Sequence, residues 1–474
     1  MKLFATLIVS AMAAASQTAA VRELEAKLDE DLPARMQRLH IPGAAAALVD
    51  RGAIVWSKGY GLADRITRTP FTPSTIIRAA SISKALCAWA VMRLVEQGAI
   101  DLDAPAARYL KRWKLPPSGF DPSQVTIRRA LSHTAGLAIP GRLGFNRTLS
   151  EVLDGFPGSG GVRLIRPPGE RFQYTNAGFN LLQAVIEDVT AEPYHLYMER
   201  VLLEPLGMRD STFDPNTVDR RRLGSGHMVT GERYQDVPFA ELASGGLYST
   251  VEDLARFLSA SMPGSNGEPA GRGVITPASV QLMMRSEPET GGAYGLGYET
   301  RSFSDGSLMA AHNGRLSGWS TRFAIIPKKA TGFVIVANGD AGFALLDHAT
   351  CPWLDCSAGL QPVRPCRIWQ GLSAGVLILS FALTFLLVRS FAGRRRYRWS
   401  SGRRLWNWIR AAMVLLIGVV WIIVWHTGFI ASSRVWMRGF KPAMVMPESF
   451  TILTVIVVTW CLVIAAVNLR TRNP

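Results

Sequence analysis

The sequence predicts an α+β domain of about 340 residues that is followed by a membrane region. Patterns of β-hairpins occur near both ends of this domain, and helical patterns lie between them. Three long apolar runs come after the domain. We therefore expect an antiparallel sheet built from both ends of the domain, a helical region between those ends, and three transmembrane helices after them.

Residues 1–20 have the pattern of a secretory signal peptide. One cation, Lys2, precedes a short apolar stretch, and small residues lead up to Ala20. This order of features is typical of a segment that is removed during export. We expect cleavage after Ala20, which assigns residues 21–360 to the exported domain. An uncleaved anchor is the alternative.

Two hairpins frame the exported domain. Residues 44–49 and 53–58 flank a turn that contains Gly52, and residues 320–326 and 332–338 flank a turn that contains Pro327. Apolar runs separated by a short polar turn are typical of paired antiparallel strands. The two ends of the domain are therefore expected to contribute neighbouring strands to one sheet.

Three helices are predicted between these hairpins, over residues 81–97, 176–189 and 251–260. The first has apolar residues at helical spacing and ends before Gly98, which acts as a stop signal. The third begins after Thr250, with Asp253 at the position that pairs with an N-cap threonine.

The remaining residues, 361–474, have the composition of a membrane region. Apolar runs over 368–388, 411–430 and 450–467 contain no charged residue, and each is about the length that a helix needs to cross a bilayer. The loop after the first run carries eight arginines, which indicates a cytoplasmic location. We therefore expect an inner-membrane protein whose large domain faces the periplasm. An RNA- or lipid-binding role for the arginine loop is the alternative.

The charge of the chain is concentrated in this membrane region. The formal net charge is +16, yet the first 360 residues hold 37 basic and 35 acidic groups. A domain that is nearly neutral is not expected to bind nucleic acid through its charge. The basic residues of the tail are better explained by membrane topology.

Three of the five cysteines lie close together before the first apolar run, at Cys351, Cys356 and Cys366. In an oxidising compartment the spacing permits a bridge between Cys351 and Cys356. No histidine lies among these cysteines, so we expect no metal site.

Ser81 and Lys84 form the first candidate catalytic pair. On a helix, residues three positions apart share a face, so the Lys84 amine can reach the Ser81 hydroxyl. A serine becomes a nucleophile when a neighbouring base takes its proton, and a lysine can do so when burial lowers its pKa. The predicted helix N-terminus at Ser81 also favours a developing oxyanion.

Two further motifs complete the set of candidate residues. Tyr174 can carry a proton to a leaving group, and the Asn176 amide can donate to and accept from a substrate amide. His312 can hydrogen-bond a substrate or Tyr174, and Gly314 allows a ligand to approach the backbone of a strand. A core tyrosine, a helix-capping asparagine and a structural histidine are the alternatives.

Other catalytic machinery is not evident in the sequence. The G-x-S-x-G match at residues 371–375 lies inside the first apolar run and indicates helix packing rather than a nucleophile. The seven histidines lack metal-ligand spacing, and the glycine-rich stretch at residues 155–161 lacks a phosphate-binding lysine. We predict no metal and no cofactor.

The ordered motifs S-x-x-K, Y-x-N and H-x-G resemble those of the serine β-lactamase and penicillin-binding-protein superfamily, in particular its class C and DD-peptidase branch. The resemblance extends over roughly residues 35–340 and implies a β-lactamase/transpeptidase-like fold. It also includes four local segments: 79–84 (AASISK), 131–137 (LSHTAGL), 244–250 (SGGLYST) and 294–298 (YGLGY).

The resemblance implies a role for each candidate residue. Ser81 is the nucleophile that becomes acylated, and Lys84 is its general base and shares protons with Tyr174. Asn176 positions the substrate amide. The oxyanion hole uses the backbone N–H groups of Ser81 and Arg315, the residue after the third motif.

The first residue of the third motif distinguishes between the possible activities. β-Lactamases of this branch have K-T-G there, whereas His312 at this position resembles the DD-peptidases, esterases and D-amino-acid peptidases. The layout with three C-terminal helices resembles the membrane-anchored prodrug-activating peptidases. We predict a peptidase or amidase that acts on small peptides with D-residues or N-acyl caps. An esterase, a β-lactamase and a β-lactam sensor are the alternatives, and the oligomeric state is left open.

Overall fold

The structure is a computed structural model that describes residues 2–138, 143–228, 230–356 and 358–360, with side chains described from residue 19 onward. These residues belong to one compact unit, Met1–Gln361. None of the helices in this described part is both long enough and apolar enough to cross a membrane. The three apolar runs predicted to span the membrane lie outside the described residues.

The domain is organised around a seven-stranded antiparallel sheet with the order β3-β2-β1-β11-β10-β9-β8. β1 comes from the start of the domain and β11 from its end, and the two pair directly from Ala44↔Ala337 to Asp50↔Thr331. This confirms the predicted sheet that joins both ends of the domain. Its strands are β1 Gly43–Asp50, β2 Ala53–Asp64, β3 Thr69–Pro70, β8 Glu299–Ser302, β9 Leu308–Leu316, β10 Trp319–Ile326 and β11 Thr331–Ala337.

Two short sheets lie outside this large one. In the first, β4 (Ile77–Arg78) pairs with β7 (Tyr248–Ser249), which brings the chain just before Ser81 next to residues 244–250. In the second, β5 (Leu137–Ala138) pairs with β6 (Arg163–Leu164). Two distant stretches of the sequence are thereby held beside the helix that follows Ser81.

Helices cover both faces of the large sheet. Gly332 on β11 lies against Leu258 of one helix, while the next residue, Phe333, stacks on Trp353 of another at 5.9 Å between ring centroids. Consecutive strand residues point to opposite faces, so each helix covers one face. The helices are α1 Lys2–Arg38, α2 Ser83–Glu96, α3 Ile127–Leu131, α4 Leu149–Asp154, α5 Ala177–Thr190, α6 Tyr194–Met198, α7 Leu242–Gly245, α8 Val251–Ala260, α9 Pro277–Met284 and α10 Gly342–Cys356.

All three predicted helices are confirmed, as α2, α5 and α8. Thr250 caps α8 by accepting from the backbone N–H of Asp253 at 3.1 Å. The Asp253 carboxylate does not return this bond but accepts from the Ser211 hydroxyl and the Asp210 backbone N–H. The capping threonine is therefore as predicted, while its acidic partner ties the helix to a neighbouring loop.

Helix α2 lies at the centre of the hydrophobic core. Eleven of its fourteen residues are buried, and the Trp89 ring packs on Phe257 of α8 at 5.1 Å between centroids. The Trp89 indole N–H also donates to the Tyr298 hydroxyl at 2.8 Å. Burial of this kind holds the helix firmly, which is what a nucleophile at its start requires.

The first helix continues well beyond the predicted signal segment. Its second half buries a stripe of apolar residues at every fourth position, Leu24, Leu28, Leu32 and Met36. A stripe of this period is the packing face of an amphipathic helix. In the structure, Lys2–Arg38 forms one continuous helix, whereas cleavage after Ala20 stays a prediction.

The bridge that the spacing of Cys351 and Cys356 permits is not formed. Cys351 is disulfide-bonded, but Cys356 is a free thiol whose sulfur accepts from the Lys27 amine at 3.1 Å. Both residues lie on α10, where the sulfur of Cys356 faces α1. The disulfide partner of Cys351 lies outside the described residues.

Candidate active site

Ser81 lies in a tight turn directly before α2. The preceding residue, Ala80, has φ +51°, a left-handed conformation that costs energy for a residue other than glycine. Ser83 stabilises the turn, because its hydroxyl donates to the Ala80 carbonyl at 2.7 Å and accepts from the Leu247 N–H at 3.0 Å. Leu247 also accepts from the Ala79 N–H at 2.9 Å. The strained turn is thus held by residues 244–250, one of the segments noted in the sequence.

The amine of Lys84 contacts three oxygen atoms. It donates to the Ser81 hydroxyl at 3.0 Å, to the Asn176 side-chain oxygen at 2.9 Å and to the Ser244 carbonyl at 2.7 Å. The side chain is completely buried. The structure therefore brings together Ser81, Lys84 and Asn176 as the sequence predicted, and adds the main chain of Ser244.

Burial lowers the pKa of Lys84 to about 7. Charging a buried ammonium is unfavourable because the protein replaces its water shell incompletely. The nearby Glu241 carboxylate opposes this effect only in part. A lysine with a pKa near 7 is present in both forms at neutral pH, as a general base must be.

The three partners of Lys84 also determine the direction in which its lone pair points. A neutral amine has two hydrogens and one lone pair. The Asn176 oxygen and the Ser244 carbonyl can only accept, so they take the two hydrogens. The lone pair then faces the Ser81 hydroxyl, the one partner that can donate a proton. The geometry thus suits removal of the Ser81 proton.

Tyr174 lies on the other side of the nucleophile. Its phenol lies close enough to Ser81 for the serine hydroxyl to lower the pKa of Tyr174, and the Lys84 amine lies 5.0 Å from the centroid of its ring. Burial of the hydroxyl raises the pKa of Tyr174 above its ordinary value, although 43% of the side chain as a whole is exposed. The phenol is therefore protonated at neutral pH and can donate a proton.

Asn176 immediately precedes α5, but its side chain does not cap that helix. Its oxygen accepts from Lys84 instead, at 2.9 Å. The Asn176 oxygen therefore has a partner within the protein, whereas its contact with a substrate stays a prediction. The amide N–H₂ group can donate to a substrate carbonyl.

His312 differs from the prediction. Its Nε2 atom pairs with the Tyr294 hydroxyl at 2.8 Å, and its Nδ1 atom with the Asn313 carbonyl at 2.7 Å. A carbonyl can only accept, so Nδ1 carries the proton and Nε2 accepts from Tyr294. Burial and the Lys84 charge lower the pKa of His312 to about 3. The imidazole is neutral and fully engaged, and it hydrogen-bonds Tyr294 rather than Tyr174 or a substrate.

Gly314 is required by the close packing of β9 against the nucleophile turn. A Cβ atom at this position would lie under 3.0 Å from the Ala79 carbonyl oxygen and 3.3 Å from the Ile82 side chain. These two residues flank the Ser81 turn. The next residue, Arg315, pairs with Ser320 of β10. β9 therefore brings the backbone of the third motif beside the nucleophile.

Sequence reasoning did not assign roles to three neighbours of the site. The Ser244 carbonyl holds Lys84, Tyr294 holds His312, and the ring of His133 lies 4.3 Å from that of Tyr174. All three lie in segments whose sequences resemble those of the superfamily, at residues 244–250, 294–298 and 131–137. Among the described residues, no group of three or more His, Cys, Asp or Glu could hold a metal ion.

A large cavity adjoins the site at the end of β9. Its volume is about 1220 Å³, and its wall includes Leu316 and Ser317 together with Arg78, Tyr234 and Asp236. Ser81 and Lys84 do not line it. Within this wall, the buried Arg78 side chain is ion-paired with Asp236.

Comparison with characterised proteins gives several relatives. The chain is 24% identical over 335 residues to Protein flp of Staphylococcus aureus strain MRSA252, covering 68% of this chain and 65% of that protein. It is 28% identical over 350 residues to the unguisins hydrolase ungD' of Aspergillus campestris, covering 68% and 64%. The chain thus spans slightly less than two thirds of the length of these relatives.

Solved structures share the same fold. The octameric penicillin-binding protein homologue from Pyrococcus abyssi superposes with a TM-score of 0.58 at 27% identity, covering 73% of this chain and 78% of that one. The crystal structure of SurE gives a TM-score of 0.57 at 26% identity, covering 74% and 79%. The family model described as Beta-lactamase matches residues 28–350, which is more than half of the chain. The chain therefore belongs to the beta-lactamase family of serine hydrolases, with its β-lactamase/transpeptidase-like α+β fold.

Proposed function

We propose that this protein is a membrane-anchored periplasmic peptidase or amidase that cleaves peptides with D-residues or N-acyl caps through an acyl-enzyme on Ser81. The observation that carries the proposal is the buried Lys84 amine, 3.0 Å from the Ser81 hydroxyl and with a pKa lowered to about 7. The relative named as an unguisins hydrolase is consistent with hydrolytic chemistry.

In the first half of the reaction, Lys84 takes the proton of Ser81 while the serine oxygen attacks the substrate carbonyl carbon. The backbone N–H groups of Ser81 and Arg315 stabilise the negative charge that develops on the carbonyl oxygen. Tyr174 donates its proton to the leaving nitrogen and regains one from Lys84. The C–N bond breaks, the amine leaves and the acyl group stays on Ser81.

In the second half, water attacks the acyl-enzyme. Lys84, which is neutral again after the first half, takes a proton from the water, directly or through Tyr174, and Ser81 regains its hydroxyl proton as the ester bond breaks. The products are a carboxylic acid and the free enzyme. The side-chain N–H₂ of Asn176 donates to the amide carbonyl of the acyl part and keeps it in place. No metal or cofactor takes part in these steps.

The part of β9 that extends beyond β8 favours an amide substrate. β8 pairs with residues 308–311 of β9 and ends there, before the third motif. An extended peptide can form main-chain hydrogen bonds along the edge of a strand. The adjoining cavity has room for a larger part of the same substrate.

The third motif argues against an efficient β-lactamase. His312 replaces the lysine of K-T-G, and its buried, neutral imidazole offers no positive charge to a β-lactam carboxylate. Anchoring by three helices and a periplasmic location are proposed from the apolar runs and the arginine loop of the sequence. Export by the N-terminal signal segment is part of the same proposal.

The test uses the full-length protein in detergent and three chromogenic substrates. They are N-acetyl-D-alanine p-nitroanilide, N-acetyl-D-alanine p-nitrophenyl ester and nitrocefin. We expect cleavage of the anilide that is lost in Ser81→Ala and kept in Ser150→Ala, which changes an exposed serine. Cleavage of the ester alone would indicate an esterase, and turnover of nitrocefin a β-lactamase. Cleavage that survives Ser81→Ala would refute the proposed nucleophile.

A further inference from the structure

We propose that His133 is a positioning residue that holds Tyr174 against Ser81, so that the phenol can donate its proton to the leaving group. This inference rests on the proposed function, because it concerns the same reaction. His133 lies outside the motifs to which catalytic roles were given. Its contacts, however, include Tyr174 and both residues next to it, Gln173 and Thr175.

The main chain on both sides of Tyr174 is bound to His133. The backbone N–H of Gln173 donates to the His133 carbonyl at 2.9 Å. The backbone N–H of Thr175 donates to the His133 ring at Nδ1, at 3.3 Å. One residue therefore fixes the chain before and after the phenol, which restricts the directions that the Tyr174 side chain can take.

The ring of His133 packs directly on that of Tyr174. Their centroids are 4.3 Å apart with 40° between the planes. The rings of Tyr294 and Phe179 close around the imidazole at 4.8 and 5.2 Å, and only 3% of His133 is exposed. The His133 ring is thus held in place and blocks rotation of the Tyr174 ring toward its own side.

The contact with Thr175 also requires a neutral imidazole. Nδ1 accepts a hydrogen bond, so the proton of the neutral ring is on Nε2. A second proton on Nδ1 would face the Thr175 N–H and break this bond. Burial and the positive charge of Lys84 keep the pKa of His133 well below its ordinary value, which preserves the accepting form.

The backbone conformation at His133 is compatible with its role in positioning Tyr174. Its φ is +60°, in the left-handed region where histidine and asparagine occur more readily than most residues. The next residue, Thr134, accepts from the Gly169 N–H at 2.8 Å. The turn at residues 132–136 thus binds the segment that leads into Tyr174 through main-chain hydrogen bonds.

The test is a double-mutant cycle on full-length protein with the two matched N-acetyl-D-alanine substrates. The anilide needs a proton on its leaving nitrogen, whereas p-nitrophenolate leaves without one. We expect His133→Phe to lower kcat for the anilide about 10- to 100-fold and for the ester less than tenfold, with KM within about threefold. In a Tyr174→Phe background, His133→Phe should change the anilide rate less than about twofold. If the losses of kcat in the two single variants multiply in the double variant, the inference is overturned. It is also overturned if His133→Phe lowers kcat equally for the anilide and the ester.

Conservative variants keep the test valid if His133→Phe does not fold. His133→Asn places an oxygen near the position of Nδ1 and should keep anilide cleavage within about tenfold of wild type. His133→Gln reaches past that position and should lose more. Equal activity of these two variants would contradict a role for the Thr175 contact.

A crystal structure separates failure of this inference from failure of the proposed function. If neither substrate shows cleavage that depends on Ser81, the proposed function fails, but the position of Tyr174 can still be determined. Displacement of the Tyr174 hydroxyl from Ser81 in His133→Phe or His133→Gln would support the inference. An unchanged distance between the Tyr174 hydroxyl and Ser81 would overturn it.

Discussion

Replacing Lys84 by methionine should remove a specific dependence of stability on pH. Methionine fills a similar space without an ionisable group, so the variant keeps the packing and loses the titration. In wild type, burial lowers the pKa of Lys84 to about 7 from the ordinary value of 10.5. Between these two pH values, the unfolded chain holds a proton on Lys84 that the folded chain does not.

The sign and size of the effect follow from this difference in proton binding. Stability rises with pH wherever the unfolded state binds more protons, by about 1.4 kcal/mol per pH unit for one proton. Lys84 is fully buried, so solvent screening does not reduce this value. From pH 7.5 to 9.5 its contribution should grow by about 2–3 kcal/mol, since ionisation is incomplete at both ends of that range.

Urea unfolding followed by tryptophan fluorescence measures this contribution. The free energy of unfolding is determined at pH 7.5, 8.5 and 9.5 for wild type and Lys84→Met, and the difference between them is compared across pH. Taking the difference cancels most of the titration of other groups. We expect wild type to gain about 2–3 kcal/mol relative to the variant over this range. A difference that stays flat or falls with pH would refute the lowered pKa of Lys84.

Three further predictions concern the site and its support. Asn176→Asp places a carboxylate beside Lys84, so the acidic limb of kcat/KM should move about one pH unit or more above 7, whereas Asn176→Ala should not move it upward. Gly314→Ala forces a methyl group onto the Ala79 carbonyl and should lower kcat at least about tenfold. The control Gly119→Ala, at a glycine with open space around it, should leave kcat unchanged. Thr250→Val removes the N-cap of α8 and should cost about 1 kcal/mol in denaturant unfolding; no loss would argue against that cap.

The framework of the fold was predictable because it depends on local patterns. The hairpins at Gly52 and Pro327 have short polar turns between apolar runs, and these turns set the pairing of β1 with β2 and of β10 with β11. The pairing of β1 with β11 followed from placing both hairpins in one sheet. The second half of α1 was missed, although Leu24, Leu28, Leu32 and Met36 repeat at helical spacing.

The catalytic pair was predictable for the same reason. Ser81 and Lys84 are three positions apart, so their contact needs only the local conformation of the chain. Tyr174 and Asn176 lie about ninety residues further on, and the family resemblance, rather than local physics, connected them to Ser81. The structure provides the tertiary contacts that local spacing could not predict.

The supporting residues were harder to predict because their roles depend on tertiary contacts. The Ser244 carbonyl belongs to the main chain, and every residue type has such a carbonyl. His312 was expected to meet Tyr174 or a substrate, but the alternative partner Tyr294 lies within 2.8 Å of it only in the folded chain. Likewise, Cys351 and Cys356 have a spacing that permits a bridge, while their helix directs Cys356 toward Lys27.

The central claim is that Ser81 carries the acyl group, and intact-protein mass spectrometry with a fluorophosphonate tests it most directly. The reagent phosphonylates activated serines with loss of fluoride. We predict one adduct on the full-length wild type, mapped by peptide digestion to Ser81, and no adduct on Ser81→Ala. An adduct that persists in Ser81→Ala, or a wild-type protein that stays unmodified while folded, would contradict the account.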